Sequence, residues 1–197
     1  MTKKLSSPWG LKQPFILASG SKARLRLLQM AGVQPCAVVP ANIDETPRKK
    51  ELPARYVYRM AYEKAMAVAQ EHKGCCILSA DTVIAVGVRM IRKAETKEQA
   101  LENLKLLSGR RHRVVTAFCV VKPDGKTITK TVTTYVVIKK LDDIDIQMIL
   151  ESNEWQNVAG YQIEGILSAV VRKTLGSYPN VVGLPIFEVM QVLRGVL

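Results

Sequence analysis

Phe15-Ile-Leu-Ala-Ser19, followed by Gly20-Ser21 and an amphipathic run from Lys22 to about Ala31, leaves few architectures open to this chain. The first run is short and continuously apolar, as a buried strand is. Leu25, Leu28 and Met30 fall near one face of the second, which reads as a helix with Gly32 as its stop. A strand that turns through glycine into a helix presents backbone N–H groups at the helix N-terminus, a corner suited to anions. No G-x-x-x-x-G-K-[ST] loop and no G-x-G-x-x-G fingerprint occurs, which disfavours the common nucleotide-binding folds.

The rest of the chain continues in mixed fashion. Ala37–Val39 reads as a second strand, followed by the polar segment Asn42–Lys50. A long helix fits Pro53–Glu71, with proline in its first turn and Val57, Met60, Ala61, Lys64, Ala65 and Val68 on one face. Cys75–Ala80 reads as a strand that ends at Asp81-Thr82, with Val83–Val86 and Val88–Ile91 as short strands joined through Gly87. Thr96 is placed to cap a helix running to Leu107. Arg113–Val121 and Thr127–Ile138 form a hairpin around Pro123-Asp124-Gly125-Lys126. Asp142–Glu151 is a short acidic helix, Ala169–Arg172 a strand and Pro185–Leu193 a closing helix. The pattern predicts an α/β sandwich with a cleft over residues 1–197, as one domain or as two lobes sharing that cleft.

Composition narrows the function. Apolar residues make up 48% of the 197, enough for a sizeable core. Lys3 and Lys4 are followed by Ser6, Ser7 and Pro8 rather than an apolar stretch, and no run approaches the roughly 18 apolar residues of a membrane span. A cytoplasmic protein is expected. Cys36, Cys75, Cys76 and Cys119 lack zinc-type spacing and sit among apolar neighbours, so they read as buried free thiols. With 29 Lys and Arg against 17 Asp and Glu, the net charge of +12 favours an anionic partner, either nucleic acid or a small polyphosphate.

The candidate chemistry lies in three segments. Ser19, Ser21 and Arg24 could hold a triphosphate through hydroxyls and a planar guanidinium; the ordinary alternative is a helix N-cap beside a surface arginine. Asp81, at the end of an apolar strand, and Glu45 could carry a hard divalent ion and activate water. The alternatives are a turn-starting aspartate and a solvated glutamate. Lys64 lies on the apolar face of its helix, either as a snorkelling stem or aimed at phosphate. Arg110-Arg-His-Arg113 reads as a solvated basic strand start. With His72 and His112 the two histidines of the chain, neither a histidine zinc site nor a histidine triad is supported.

Taken in order, these elements resemble the Maf family of nucleotide pyrophosphatases, a family once linked to septum formation. The resemblance runs through Leu17-Ala-Ser-Gly-Ser21, Arg24, Asp44-Glu-Thr46, Tyr56-Val57, Arg59-Met-Ala61, Glu63-Lys-Ala65, Ala80-Asp-Thr82 and Leu107-Ser-Gly-Arg110. It continues with Ala159-Gly-Tyr161, Glu164-Gly165, Gly176-Ser177 and Val181-Val-Gly-Leu-Pro185. It implies a fold similar to the inosine-triphosphate pyrophosphatases and cleavage of a nucleoside triphosphate to monophosphate and pyrophosphate. It also implies Mg²⁺ or Mn²⁺ as cofactor, and a homodimer. The family's water-activating aspartate falls on Asp81, its phosphate-holding groups on Ser19, Ser21 and Arg24, and positions near metal and phosphates on Glu45, Lys64 and Lys93.

The chain also departs from the family pattern. Arg92-Lys93-Ala94 keeps a lysine but lacks the proline that commonly follows it. Three specificity positions are mixed: Ala23 matches neither branch, Thr82 resembles the pyrimidine branch and Glu164 the 7-methylguanosine branch. A free carboxylate at Glu164 would bridge the two donors of guanine, which leans the expectation towards a guanine-type or modified purine triphosphate. If Glu164 instead pairs with a neighbouring cation, that reasoning lapses. A function of a different class is a non-catalytic nucleic-acid-binding or septum-interaction protein, favoured by the charge alone. No stacking motif among the aromatics supports it.

Overall fold

In a computed structural model, which describes residues 9–11, 13–91, 93–156 and 161–197, alternating strands and helices build one mixed sheet. Arg92, Ala159, Gly160 and the basic N-terminal residues cited above lie outside the described residues. The elements in order are β1 (Phe15–Leu17), α1 (Lys22–Met30), β2 (Ala37–Val38), α2 (Pro53–Glu71), β3 (Cys76–Val86), β4 (Arg89–Ile91) and α3 (Lys97–Leu107). There follow β5 (Arg111–Val121), β6 (Thr127–Ile138), α4 (Asp143–Glu151), a 3₁₀ turn (Ile166–Val170), β7 (Val171–Leu175), α5 (Tyr178–Val182) and α6 (Ile186–Val196).

The sheet runs β2-β1-β3-β5-β6-β7, with β4 also on β3. β2, β1 and β3 are parallel, while β3, β5, β6 and β7 alternate antiparallel. Because β3 pairs with β5 from Ile77 to Ala85, its other edge must take both β1 and β4. β1 covers that edge at Cys76–Leu78 and β4 covers it at Ile84–Val86. Ser79–Val83 is left between them, and the cleft opens at this gap. Three apolar clusters hold the layers together. α1 and α6 pack Leu28, Val189 and Leu193 on Leu17, Leu78 and Phe118. On the opposite face α2 packs Val57, Met60 and Ala61 on Ile16, Ile77 and Cys119. The third cluster joins β5 and β6 to α3, α4 and the 3₁₀ turn through Leu104, Leu107, Val136, Ile149 and Leu167.

Several sequence expectations need correction. β3 does not stop at Ala80 but continues through Asp81 and Thr82 to Val86, so Asp81 lies mid-strand and starts no turn. The polar pair is tolerated there because each side chain finds partners, described below. β7 begins at Val171, after Ala169 and Val170 have closed a 3₁₀ turn. His112 is not at a solvated end: it is 1% exposed, its Nε2 lies 2.5 Å from the Tyr161 hydroxyl, and burial pushes its imidazole down to about 4. Cys76 and Cys119 are buried, but Cys36 and Cys75 are exposed. Adjacent cysteines at a strand start point to opposite faces, so Cys75 and Cys76 cannot share one environment.

Candidate active site

The cleft of about 1390 Å³ is built on the uncovered edge of β3. Strand alternation sends Asp81 to the α2 face, where Ser79 also donates to the Ala61 carbonyl, and sends Thr82 to the α1 face. The two residues therefore straddle the sheet at the middle of the gap. Ser19, Ser21, Ala23, Arg24, Glu45, Lys64, Asp81, Thr82, Lys93 and Glu164, the site residues expected from the sequence, all line this single space.

On the α2 face, Lys64 is 8% exposed and Asp81 6% exposed. The lysine ammonium lies 2.7 Å from Asp81 Oδ1 and 3.0 Å from Glu45 Oε2. It is neither a snorkelling stem nor a free cation, but the bridge between two carboxylates. Burial pushes the Asp81 carboxyl above its ordinary range, against the opposing pull of Lys64 and Arg24. Removing one member of such a buried pair leaves an uncompensated charge and costs roughly 3–5 kcal/mol.

On the α1 face, Ser21 is the N-cap of α1, its Oγ accepting from the Arg24 amide, while Ser19 Oγ accepts from the Ser21 amide. The cap reading was thus correct for Ser21. Arg24, however, is not a surface arginine. Its Nε donates to the Gly183 carbonyl at 2.9 Å, one terminal nitrogen to Ser19 Oγ at 2.9 Å and the other to Thr82 Oγ1 at 3.2 Å. Burial lowers its pKa, while Asp81 and Glu45 act to raise it. Gly183 has φ 131°, a backbone state that side chains rarely adopt, and this turn delivers its carbonyl to Arg24. Behind Thr82, the Thr116 hydroxyl lies 2.9 Å away and also reaches the Asn180 carbonyl, so the arginine is braced by a buried polar chain.

Lys93 is exposed at the cleft wall, and Ala23 is half-buried there. Glu164 is salt-bridged to Arg26 across the cleft mouth, so its carboxylate is not free. Arg26 is a residue that sequence reasoning missed, because a lone arginine in an amphipathic helix gives no sign of which way it faces. Tyr56 and Arg59 were legible only as part of a resemblance. Both reach the segment carrying Glu45, through Tyr56 Oη to the Glu45 carbonyl and Arg59 to the Thr46 carbonyl.

This fold has known counterparts. The Staphylococcus aureus Ham1 protein superposes over 93% of this chain and 99% of its own with a TM-score of 0.52 at 16% identity, bearing out the mixed α/β architecture. The pattern described as Maf-like protein matches residues 14–196, and the chain belongs to that family. Among its relatives, a dTTP/UTP pyrophosphatase of Paramagnetospirillum magneticum is 47% identical over 181 residues, covering 91% of this chain and 95% of the relative. A dTTP/UTP pyrophosphatase of Zymomonas mobilis is 49% identical over 179 residues, covering 90% and 89%.

Proposed function

We propose that this nucleoside triphosphate pyrophosphatase acts on UTP and dTTP, with Asp81 as the base that activates water. The observation that carries the reading is Asp81 itself. It is a buried carboxylate at the centre of the uncovered β3 edge, faced by Lys64 and Arg24, in a cleft with room for a nucleotide. The substrate is supported by the relatives' names and by the Arg26–Glu164 pair. With its carboxylate engaged, Glu164 no longer supplies the free acceptor on which a guanine preference rested.

In the reaction, water attacks the α-phosphorus, the bond from that phosphorus to its bridging oxygen breaks, and monophosphate and pyrophosphate leave. Lys64 engages Asp81 through Oδ1, leaving Oδ2 to take the proton of the attacking water. Arg24, pre-set by three side-chain hydrogen bonds, and Lys93 offset the negative charge that gathers on the departing pyrophosphate. The hydroxyls of Ser19 and Ser21 donate to phosphate oxygens.

The donor set also fits a divalent cation. Mg²⁺ is commonly held by one or two carboxylates together with substrate phosphates. Asp81 and Glu45, both within 3.0 Å of the Lys64 ammonium, are the residues that would hold it. When bound, the ion would neutralise phosphate charge and lower the pKa of water.

The test is pyrophosphate release from a panel of UTP, dTTP, CTP, ATP and GTP with and without Mg²⁺. Metal-dependent release, fastest from UTP and dTTP, is expected. Release of orthophosphate alone, or none from any triphosphate, would contradict the proposal.

A further inference from the structure

The segment from 39 to 52, which carries Glu45, has no helix or strand of its own. Beyond a local turn in which Asp44 Oδ1 accepts the Thr46 amide at 2.9 Å, it has no regular structure to hold the Glu45 carboxylate, which sits 3.0 Å from Lys64. The segment is fastened instead to one ridge of α2. Arg59 forms a two-pronged pair with Glu51, Nε to Oε1 and a terminal nitrogen to Oε2, both at 2.7 Å. The same side chain donates to the Thr46 carbonyl at 3.2 Å and reaches Glu63 Oε2 at 3.2 Å. Glu51 also accepts the Arg48 amide at 2.9 Å, across a turn in which Lys50 takes φ 59°. One turn earlier on α2, Tyr56 donates its hydroxyl to the Glu45 carbonyl at 2.9 Å, its ring lying under the Arg59 guanidinium.

The Arg59 and Glu51 side chains are 13% and 8% exposed, so this is no loose surface pair. It grips the segment at Thr46 and Glu51, on the C-terminal side of Glu45. Tyr56 grips Glu45 through its backbone, and Lys64, further along the helix, meets its carboxylate. We propose that Arg59 is a positioning residue for Glu45, acting through Glu51 and the Thr46 carbonyl to hold the Glu45 carboxylate against Lys64 and Asp81. This rests on the reading of the cleft as the hydrolytic site. The Arg59 guanidinium bonds Glu51, Glu63 and the Thr46 carbonyl, and not Lys64 or Asp81, so its influence on the reaction has to pass through the segment it holds. A lysine cannot replace it, because an ammonium is a point charge without the planar fork that spans both oxygens of a carboxylate.

The experiment is a double-mutant cycle between Arg59→Met and Glu45→Gln, reading kcat and KM for UTP together with Mn²⁺ affinity from electron paramagnetic resonance. Arg59→Met in the otherwise native chain is expected to lower kcat by about 10-fold, with a smaller change in KM, and to weaken Mn²⁺ binding. In the Glu45→Gln background the same substitution should change either quantity less than about 2-fold, since coupled sites are not additive. Arg59→Lys should not restore activity. Equal losses in both backgrounds would overturn the proposal and leave Arg59 as a purely structural residue, as would a Glu45→Gln variant with native kcat and Mn²⁺ affinity. If Arg59→Met fails to fold, Glu51→Gln, which keeps the shape and loses the charge, takes its place in the same cycle with the same criteria. A wild-type protein that releases no pyrophosphate from any triphosphate would sink the functional reading instead. The Mn²⁺ arm of the cycle would then still decide whether Arg59 acts through Glu45.

Discussion

Asp81 stands inside a long strand, on the edge that lines the cleft. A carboxylate inside a long strand, 6% exposed, is costly unless paired, and Lys64 supplies the pairing at 2.7 Å. Asp81→Asn keeps the shape and removes both basicity and charge. It is expected to lower kcat by at least about 10²-fold in the pyrophosphate-release assay, with native secondary structure by circular dichroism. A near-native rate at saturating UTP would remove Asp81 from the role of base. A second residue-scale expectation concerns the cleft mouth. Uracil offers one N–H flanked by two carbonyl oxygens, which an unpaired carboxylate repels; Arg26 neutralises Glu164 and can donate to a carbonyl. Arg26→Met should therefore cut kcat/KM for UTP by about 10-fold while sparing GTP, a difference within the reach of a few polar contacts. Adding Glu164→Gln should restore UTP turnover. An unchanged UTP-to-GTP ratio in Arg26→Met would mean that the pair does not face the base.

Among the elements, α2 does most to assemble the site, since its Tyr56, Arg59 and Lys64 all reach the Glu45 segment. Its Arg59–Glu51 pair gives a pH signature of its own. The Arg59 guanidinium, hydrogen-bonded to both carboxylate oxygens, holds Glu51 down at about 2. A depressed carboxyl contributes stability above its unfolded pKa of 4.5, and that contribution is lost as pH falls through about 2. Glu51→Gln should thus lower the melting temperature by about 4–8 °C at pH 7, for a charge-assisted pair worth roughly 2 kcal/mol. The gap from wild type should close as pH drops from about 5 to about 2. A gap that is constant with pH would point to packing rather than charge.

The elements also show what could be read in advance. The helices Pro53–Glu71 and Lys97–Leu107 and the β5–β6 hairpin announce themselves through period, cap and turn residues, and they form essentially where expected. β3 was cut short because Asp81-Thr82 looks like a turn when read locally; the partners that keep it a strand, Lys64 and Arg24, come from helices elsewhere in the chain. His112 looked solvated because its sequence neighbours are arginines, whereas strand alternation turns it inward towards Tyr161. The site residues were visible as types at family positions. Their pairing was not, because Lys64 with Glu45 and Arg26 with Glu164 depend on where a segment without regular structure and a distant turn come to lie.

At the scale of the molecule, part of the net charge of +12 lies at the cleft. Among the described residues lining the cleft are the cations Lys22, Arg24, Arg26, Lys64 and Lys93 and the carboxylates Glu45, Asp81 and Glu164, an excess of positive charge of the kind that favours a polyanion. No helix among the described residues is long and apolar enough to cross a membrane. The sheet places these charges together by leaving one edge of Ser79–Val83 uncovered, between the parallel strand β1 and the antiparallel strand β4, while β5 pairs with the other edge. In the proposed reaction, water reaches the α-phosphorus at this gap. Hydrolysis of UTP in ¹⁸O-labelled water, with the products weighed by mass spectrometry, tests it most directly. One ¹⁸O atom in UMP and none in pyrophosphate is the expected result. Label in pyrophosphate, with UMP unlabelled, would place the attack on the β-phosphorus and contradict it.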